Sequence, residues 1–352
     1  MVDPTNPHKE VDDDLRPPPA EPVEALTPLQ EARRRLRRAE RKIEEGKQAR
    51  RKAARLQEEV IALQIRLARI EAGDTEGGIK PENIVWIVGA GRTGSSWLAF
   101  MMESLPEHSR WNEPLVGYLF GHTYYERAEA RAEDPTDRHF ILGTDRPTWL
   151  RSIRSFVLDG ATARFPERID GGYLVIKEPH GSLGVPLLME ALPESRMVFL
   201  VRDPRDAVAS ALDAHREGSW VHRRVERKKA APDEDPDAYV QSRSEAYLRY
   251  IQHVKQTFEA HEGRKALVRY EDLRADTLGT MKRMYSGLSI PVDESKLAEA
   301  VDKHDWDNIP EEQKGPGKIR RKATPGSFGE DLTPTQVEIV ERECAPILQE
   351  FY

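Results

Sequence analysis

The chain has a single cysteine, Cys344, so neither a disulfide framework nor a cysteine-based zinc site is available to it. It has no apolar run of about 18 residues, which excludes an obvious membrane-spanning helix. Its first thirty residues hold no apolar core of signal-peptide length. A cytoplasmic, reducing environment is therefore expected. Positive charge is not in excess: the net charge is −7, which argues against a general nucleic-acid binder but leaves room for a local basic pocket. Aromatic residues make up 7% and hydrophobic residues 38% of the 352 positions. That low apolar share puts part of the chain outside any core. The length fits one α/β core of about 250 residues with an appendage.

The appendage is N-terminal. Residues 1–25 are rich in Pro, Asp and Glu, a composition that cannot bury a core and reads as a disordered tail. Residues 26–72 are dense in Arg, Lys, Glu, Ala and Leu. Leu56, Val60, Leu63, Leu67 and Ile70 form a heptad seam, and Leu29, Ala32, Leu36, Ala39 and Ile43 form an earlier one in another phase, with a break near Gly46. A helix this long with so narrow a seam wants a partner, so the spacing predicts an α-helical coiled-coil arm that makes a homodimer. The competing reading is a solvated helix packed on its own domain. A glycine-rich linker, 73–82, leads to the main domain at 83–352.

Within that domain the apolar runs 84–88, 173–176, 197–201 and 266–270 read as strands, and a helix is expected over 95–105. Strands separated by helices predict a parallel β-sheet flanked by helices, an α/β fold of the P-loop type.

Two strand-to-helix junctions carry chemistry. After the first strand comes Gly89-Ala90-Gly91-Arg92-Thr93-Gly94-Ser95-Ser96. Such a turn presents N–H donors at a helix N-terminus, a phosphate site. Gly89-x-Gly91-x-x-Gly94 also satisfies the dinucleotide fingerprint, so an NAD-dependent oxidoreductase is one alternative. The turn lacks the Gly-Lys-Ser/Thr ending of a P-loop kinase or triphosphatase, a second alternative. After the 197–201 strand comes Arg202-Asp203-Pro204-Arg205-Asp206-Ala207-Val208-Ala209-Ser210. Asp203 reads as an N-cap and Pro204 as the first helical residue. Capping does not explain Arg202 at the strand end together with Ser210 two turns into the helix.

Together these motifs resemble the sulfotransferases that use 3′-phosphoadenosine-5′-phosphosulfate (PAPS). Arg92-Thr93-Gly94-Ser95-Ser96 is similar to their 5′-phosphosulfate loop, and Arg202 with Ser210 to their 3′-phosphate site. Arg321 and Lys322, in Arg320-Arg321-Lys322-Ala323-Thr324-Pro325-Gly326-Ser327-Phe328, resemble a basic loop that closes over the 3′-phosphate. Ala323 and Ser327 depart from that pattern. Tyr270-Glu271-Asp272-Leu273 resembles a further segment, read as structural. Trp97, just past the first loop, reads as core in preference to an adenine platform.

The resemblance covers residues 83–333 and implies the sulfotransferase fold and transfer of a sulfuryl group from PAPS to an acceptor hydroxyl, on a small molecule or a glycan, with no metal. It implies Gly91, Arg92, Thr93, Gly94, Ser95, Ser96, Arg202, Ser210, Arg321 and Lys322 as cofactor ligands. Arg92 and Lys177, the latter in Lys177-Glu178-Pro179, would be the cations at the reacting group. Two residues compete as the base: Glu113, in Trp111-Asn112-Glu113-Pro114, and His180. The stretches 115–170 and 212–265, which include Tyr118, Tyr125 and Trp220, match no pattern and are expected to build the acceptor pocket.

Overall fold

A computed structural model describes residues 77–122, 124, 146–216, 218–219, 234–318 and 320–352. The expected tail, the coiled-coil arm with its dimer, residues 73–76 of the linker, Tyr125 and Trp220 lie outside the described residues.

The first strand, β1 (Ile84–Gly89), is buried along its whole length, as a run without polar alternation dictates. It feeds α1 (Ser95–Glu103), which leads to β2 (His108–Asn112). The next elements are α2 (Arg146–Arg164), β3 (Tyr173–Lys177), α3 (Val185–Ala191) and β4 (Arg196–Val201). Then come α4 (Pro204–His215), α5 (Pro236–Ala260), β5 (Lys265–Arg269) and α6 (Tyr270–Ala275). The chain closes with α7 (Thr277–Gly287), α8 (Glu294–Lys303), α9 (Pro334–Glu343) and α10 (Ala345–Phe351).

The five strands are parallel, in the order β2-β3-β1-β4-β5. The pleat divides the core in two. Ile84, Trp86 and Val88 of β1, with Met197, Phe199 and Val201 of β4, pack under α2, α3, α4, α5, α9 and α10. Val85, Ile87, Val198 and Leu200 face the other way, onto α1, α6, α7 and α8. The sheet is thus covered on both faces, as the alternation of strands and helices predicts.

Four of the strands coincide with the expected apolar runs. The fifth, β2, was not anticipated. It is an edge strand of sequence His-Ser-Arg-Trp-Asn in which only His108 is buried, so it lacks the apolar run that marks a central strand. Tyr270, expected at the end of a strand, begins α6 instead.

The sheet order sets where the chemistry collects. β3 and β4 lie on opposite sides of β1, so the connections from β1 diverge there. A crevice opens at the carboxyl ends of the strands at such a switch point. The glycine loop leaves β1 there, Lys177 ends β3, Glu113 follows β2 and Arg202 follows β4.

Candidate active site

Each glycine of the first loop has a separate reason to be there. A Cβ on Gly89 would stand 2.2 Å from the Leu200 carbonyl oxygen of the neighbouring strand. A Cβ on Gly94 would stand 2.6 Å from the Tyr270 ring, and φ there is +90°. Gly91 is freer, its nearest neighbour being His180 Cε1 at 3.5 Å, so the His180 ring flanks the loop. Arg92 takes a positive φ of 70°, which turns its side chain across to α4, where Nε donates to Ser210 Oγ at 3.1 Å. The Thr93 hydroxyl donates to the Ala90 carbonyl at 2.9 Å and is fully buried. Ser95 is buried at the start of α1.

Arg202 leaves β4 into the same space. Asp203 caps α4 by accepting from Arg205 N at 2.8 Å, and Pro204 occupies the first turn, as the sequence predicts. This fixes the chain at the point where Arg202 turns inward. One terminal nitrogen of Arg202 donates to the Arg92 carbonyl at 3.2 Å, its guanidinium lies 4.3 Å over the Tyr270 ring, and the Tyr247 hydroxyl donates to its own carbonyl. Its Nε is buried and has no hydrogen-bond partner among the described residues. Arg321 is also buried, with one nitrogen 2.6 Å from Asp331 Oδ2. Burial, with the cations Arg202 and Arg321 close by, pushes the Arg92 pKa down to about 10. Three guanidiniums converging in a buried space, one with an unused N–H, fit a multiply charged anion. Lys322 is turned elsewhere: its ammonium lies 2.9 Å from Glu330 and 3.1 Å from Asp331.

A second cluster adjoins the loop. Lys177 is 4% exposed, and its Nζ donates to Glu113 Oε1 at 2.5 Å and to Ser96 Oγ at 3.2 Å. Burial holds its pKa below the usual lysine value, with Glu113 opposing the shift. The Glu113 main-chain N–H donates to the Lys177 carbonyl at 2.9 Å, continuing the β2–β3 ladder by one residue. Glu113 and Leu115 both take positive φ, 49° and 62°, so the chain turns sharply there. The turn is tied down by Glu178, which is fully buried and accepts from the Leu115 N–H at 3.1 Å. Burial pushes the Glu178 pKa up to about 7. His180 Nε2 lies 3.9 Å from Glu113 Oε1, and its side chain is 58% exposed.

The crevice therefore joins a site for a polyanion to a carboxylate, an ammonium and an imidazole that can move a proton. It brings together Gly91, Arg92, Ser96, Arg202, Ser210 and Arg321, and beside them Glu113, Lys177 and His180. Sequence reasoning missed Tyr270 as the floor under Gly94 and Arg202, and Glu178 as the anchor of the Glu113 turn. Trp97 packs beside the core, with its Nε1 donating to the His304 carbonyl at 2.9 Å. Among the described residues no helix is long and apolar enough to cross a membrane, and no group of three or more His, Cys, Asp or Glu could hold a metal ion.

A family model described as "Sulfotransferase family" matches residues 85–294. No curated protein matches the chain in sequence. Similar solved structures include a sulfotransferase from Mycobacterium avium, with 14% identity, TM-score 0.46, and 82% of this chain and 81% of that one covered. A mouse sulfotransferase complexed with PAP has 13% identity and TM-score 0.46, over 77% and 89%. The sulfotransferase domain of a Synechococcus olefin synthase has 18% identity and TM-score 0.43, over 74% and 93%.

Proposed function

Because the chain belongs to the sulfotransferase family, whose model matches more than half of it, we propose that it moves the sulfuryl group of PAPS to an acceptor hydroxyl, with residues 83–352 as the catalytic domain. The observation that carries the reading is the convergence of Arg92, Arg202 and Arg321 in a space where burial, with the two neighbouring cations adding to it, lowers the Arg92 pKa, and where Arg202 Nε is buried without a hydrogen-bond partner among the described residues. Asp331, 2.6 Å from Arg321, and Asp206, 3.6 Å from Arg202, offset part of this buried positive charge, and a bound anion would offset the rest.

PAPS supplies an activated sulfuryl group with a good leaving phosphate. The chain's residues divide the rest of the task. The N–H groups at the start of α1 and the side chain of Arg92 hold the 5′ end. Arg202 and Ser210 hold the 3′-phosphate, with Arg321 beside them. Lys177, at the end of β3, neutralises charge that develops at the reacting group. Glu113 is the base that takes the acceptor proton, a role its contacts with Lys177 and His180 support. His180 flanks the base and the loop. The acceptor is a hydroxyl compound, a small molecule or a glycan, that enters beside Glu113.

Calorimetric titration with 3′-phosphoadenosine-5′-phosphate tests the reading. The wild type is expected to bind it, Arg202→Ala to lose binding, and NAD and ATP to bind far more weakly. Binding of NAD or ATP without binding of the bisphosphate would overturn the proposal.

A further inference from the structure

α4 does more than present Ser210. Asp206, Ser210 and Asp213 stand at intervals of four and three residues, so one helix face carries a carboxylate, a hydroxyl and a carboxylate in line. Ser210 accepts from Arg92 of the first loop. The two aspartates reach the C-terminal basic loop. Asp206 Oδ2 accepts from the Gly326 N–H at 2.7 Å, and Asp213 Oδ2 accepts from the Gly317 N–H at 2.9 Å. Both glycines take positive φ, 79° and 67°, a conformation that other residues adopt only with strain. The anchors therefore fall on two of the points where the loop turns.

Between the anchors stand Arg320, Arg321 and Lys322. The near side is closed by Gly315 N–H donating to the Arg320 carbonyl at 2.9 Å, and the far side by Arg274 Nε donating to the Ala323 carbonyl at 3.0 Å. Arg321 is left 7% exposed, near enough to Arg92 for its charge to lower the pKa of that residue. Asp206 has its other oxygen buried without a partner and Arg202 at 3.6 Å. Its carboxylate thus lies between the loop and the arginine assigned to the 3′-phosphate.

We infer that Asp206 and Asp213 are positioning residues that clamp the basic loop to α4 and so hold Arg321 at the same 3′-phosphate as Arg202 and Ser210. The inference rests on the assignment of the site to a nucleotide 3′,5′-bisphosphate. One helix face would then tie both phosphate-binding loops to a single rigid post, which sets the spacing of their guanidiniums before the ligand arrives.

Asp213 is half-buried and is the variant of choice; Asp206 is fully buried. Wild type, Asp213→Ala and Asp213→Asn are titrated with adenosine 3′,5′-bisphosphate and with adenosine 5′-monophosphate. Trypsin cleavage between residues 318 and 322 is followed by mass spectrometry without nucleotide. Asp213→Ala is expected to weaken the bisphosphate about tenfold, the effect of one lost hydrogen bond to a charged group. It should leave the monophosphate unchanged and speed apo cleavage. Asp213→Asn keeps an oxygen for Gly317 and should restore most of both. Equal loss for the two nucleotides, or unaltered bisphosphate affinity with unaltered cleavage, would overturn the clamp. Failure of the wild type to bind bisphosphate would sink the functional reading instead, and apo cleavage would still report on the anchor.

Discussion

Glu113 and Glu178 sit in the same corner of the crevice, yet their surroundings give them different work. Glu113 is partly open and lies against Lys177, whereas Glu178 is fully buried beneath the turn that carries Glu113. If Glu113 is the base, Glu113→Gln should lower kcat by about a hundredfold or more with bisphosphate affinity unchanged. Formation of 3′-phosphoadenosine-5′-phosphate from PAPS in the presence of an acceptor measures this. An equal loss in His180→Ala, with Glu113→Gln active, would reverse the assignment. Glu178 makes a prediction about stability. Its pKa is pushed up from 4.5 to about 7, so between those values the folded chain binds more protons than the unfolded one. Stability from this group is therefore full below about pH 4.5 and falls as pH rises to about 7, a cost on the order of 3 kcal/mol. Glu178→Gln, which cannot ionise, should match the wild type in thermal unfolding at pH 5 and exceed it at pH 8. A difference that stays the same at both pH values would mean that Glu178 does not titrate in this range.

At the scale of elements, the loop after β1 shows how a motif divides into separate constraints. Gly89 is fixed by the approach of β4, Gly94 by the Tyr270 ring and a positive φ, and Gly91 by neither. Gly89→Ala and Gly94→Ala should each destabilise the domain by at least about 1–3 kcal/mol, because a Cβ there meets backbone or an aromatic ring. Gly91→Ala should fold with nearly wild-type stability. Thermal unfolding of the three variants measures this, and a Gly91→Ala variant as unstable as the other two would contradict the geometry. β2 shows the opposite case. It carries almost no apolar signal, yet its register places Asn112 beside Lys177 and so delivers Glu113 to the site. Its side chains beyond His108 are incompletely covered on the faces of the sheet, so polar residues are tolerated there and the apolar pattern by which strands are read is absent.

At the scale of the molecule, the sheet order makes the site. Residues more than a hundred positions apart, such as Arg92 and Arg202, meet because β1 and β4 pair and both end at the same crevice. We propose that the arm at 26–72 serves assembly and not chemistry. Removal of residues 1–76 should then leave bisphosphate affinity unchanged while converting a dimer to a monomer in sedimentation. A truncated chain that stays dimeric, or one that loses the nucleotide, would refute this.

The sequence by itself determined the parallel α/β plan, the capped junction at Asp203 and Pro204, and the glycine turn after the first strand. Those features are local: apolar runs, a cap and a glycine turn are written in consecutive residues. Only the tertiary structure decided that β2 joins the sheet, that Tyr270 lies under Arg202, and that Glu178 holds the Glu113 turn. It also set Asp206 and Asp213 at the two ends of a loop more than a hundred residues further on. Each of these is a contact between distant segments, created by the strand order, and no local pattern encodes which segments will be brought together.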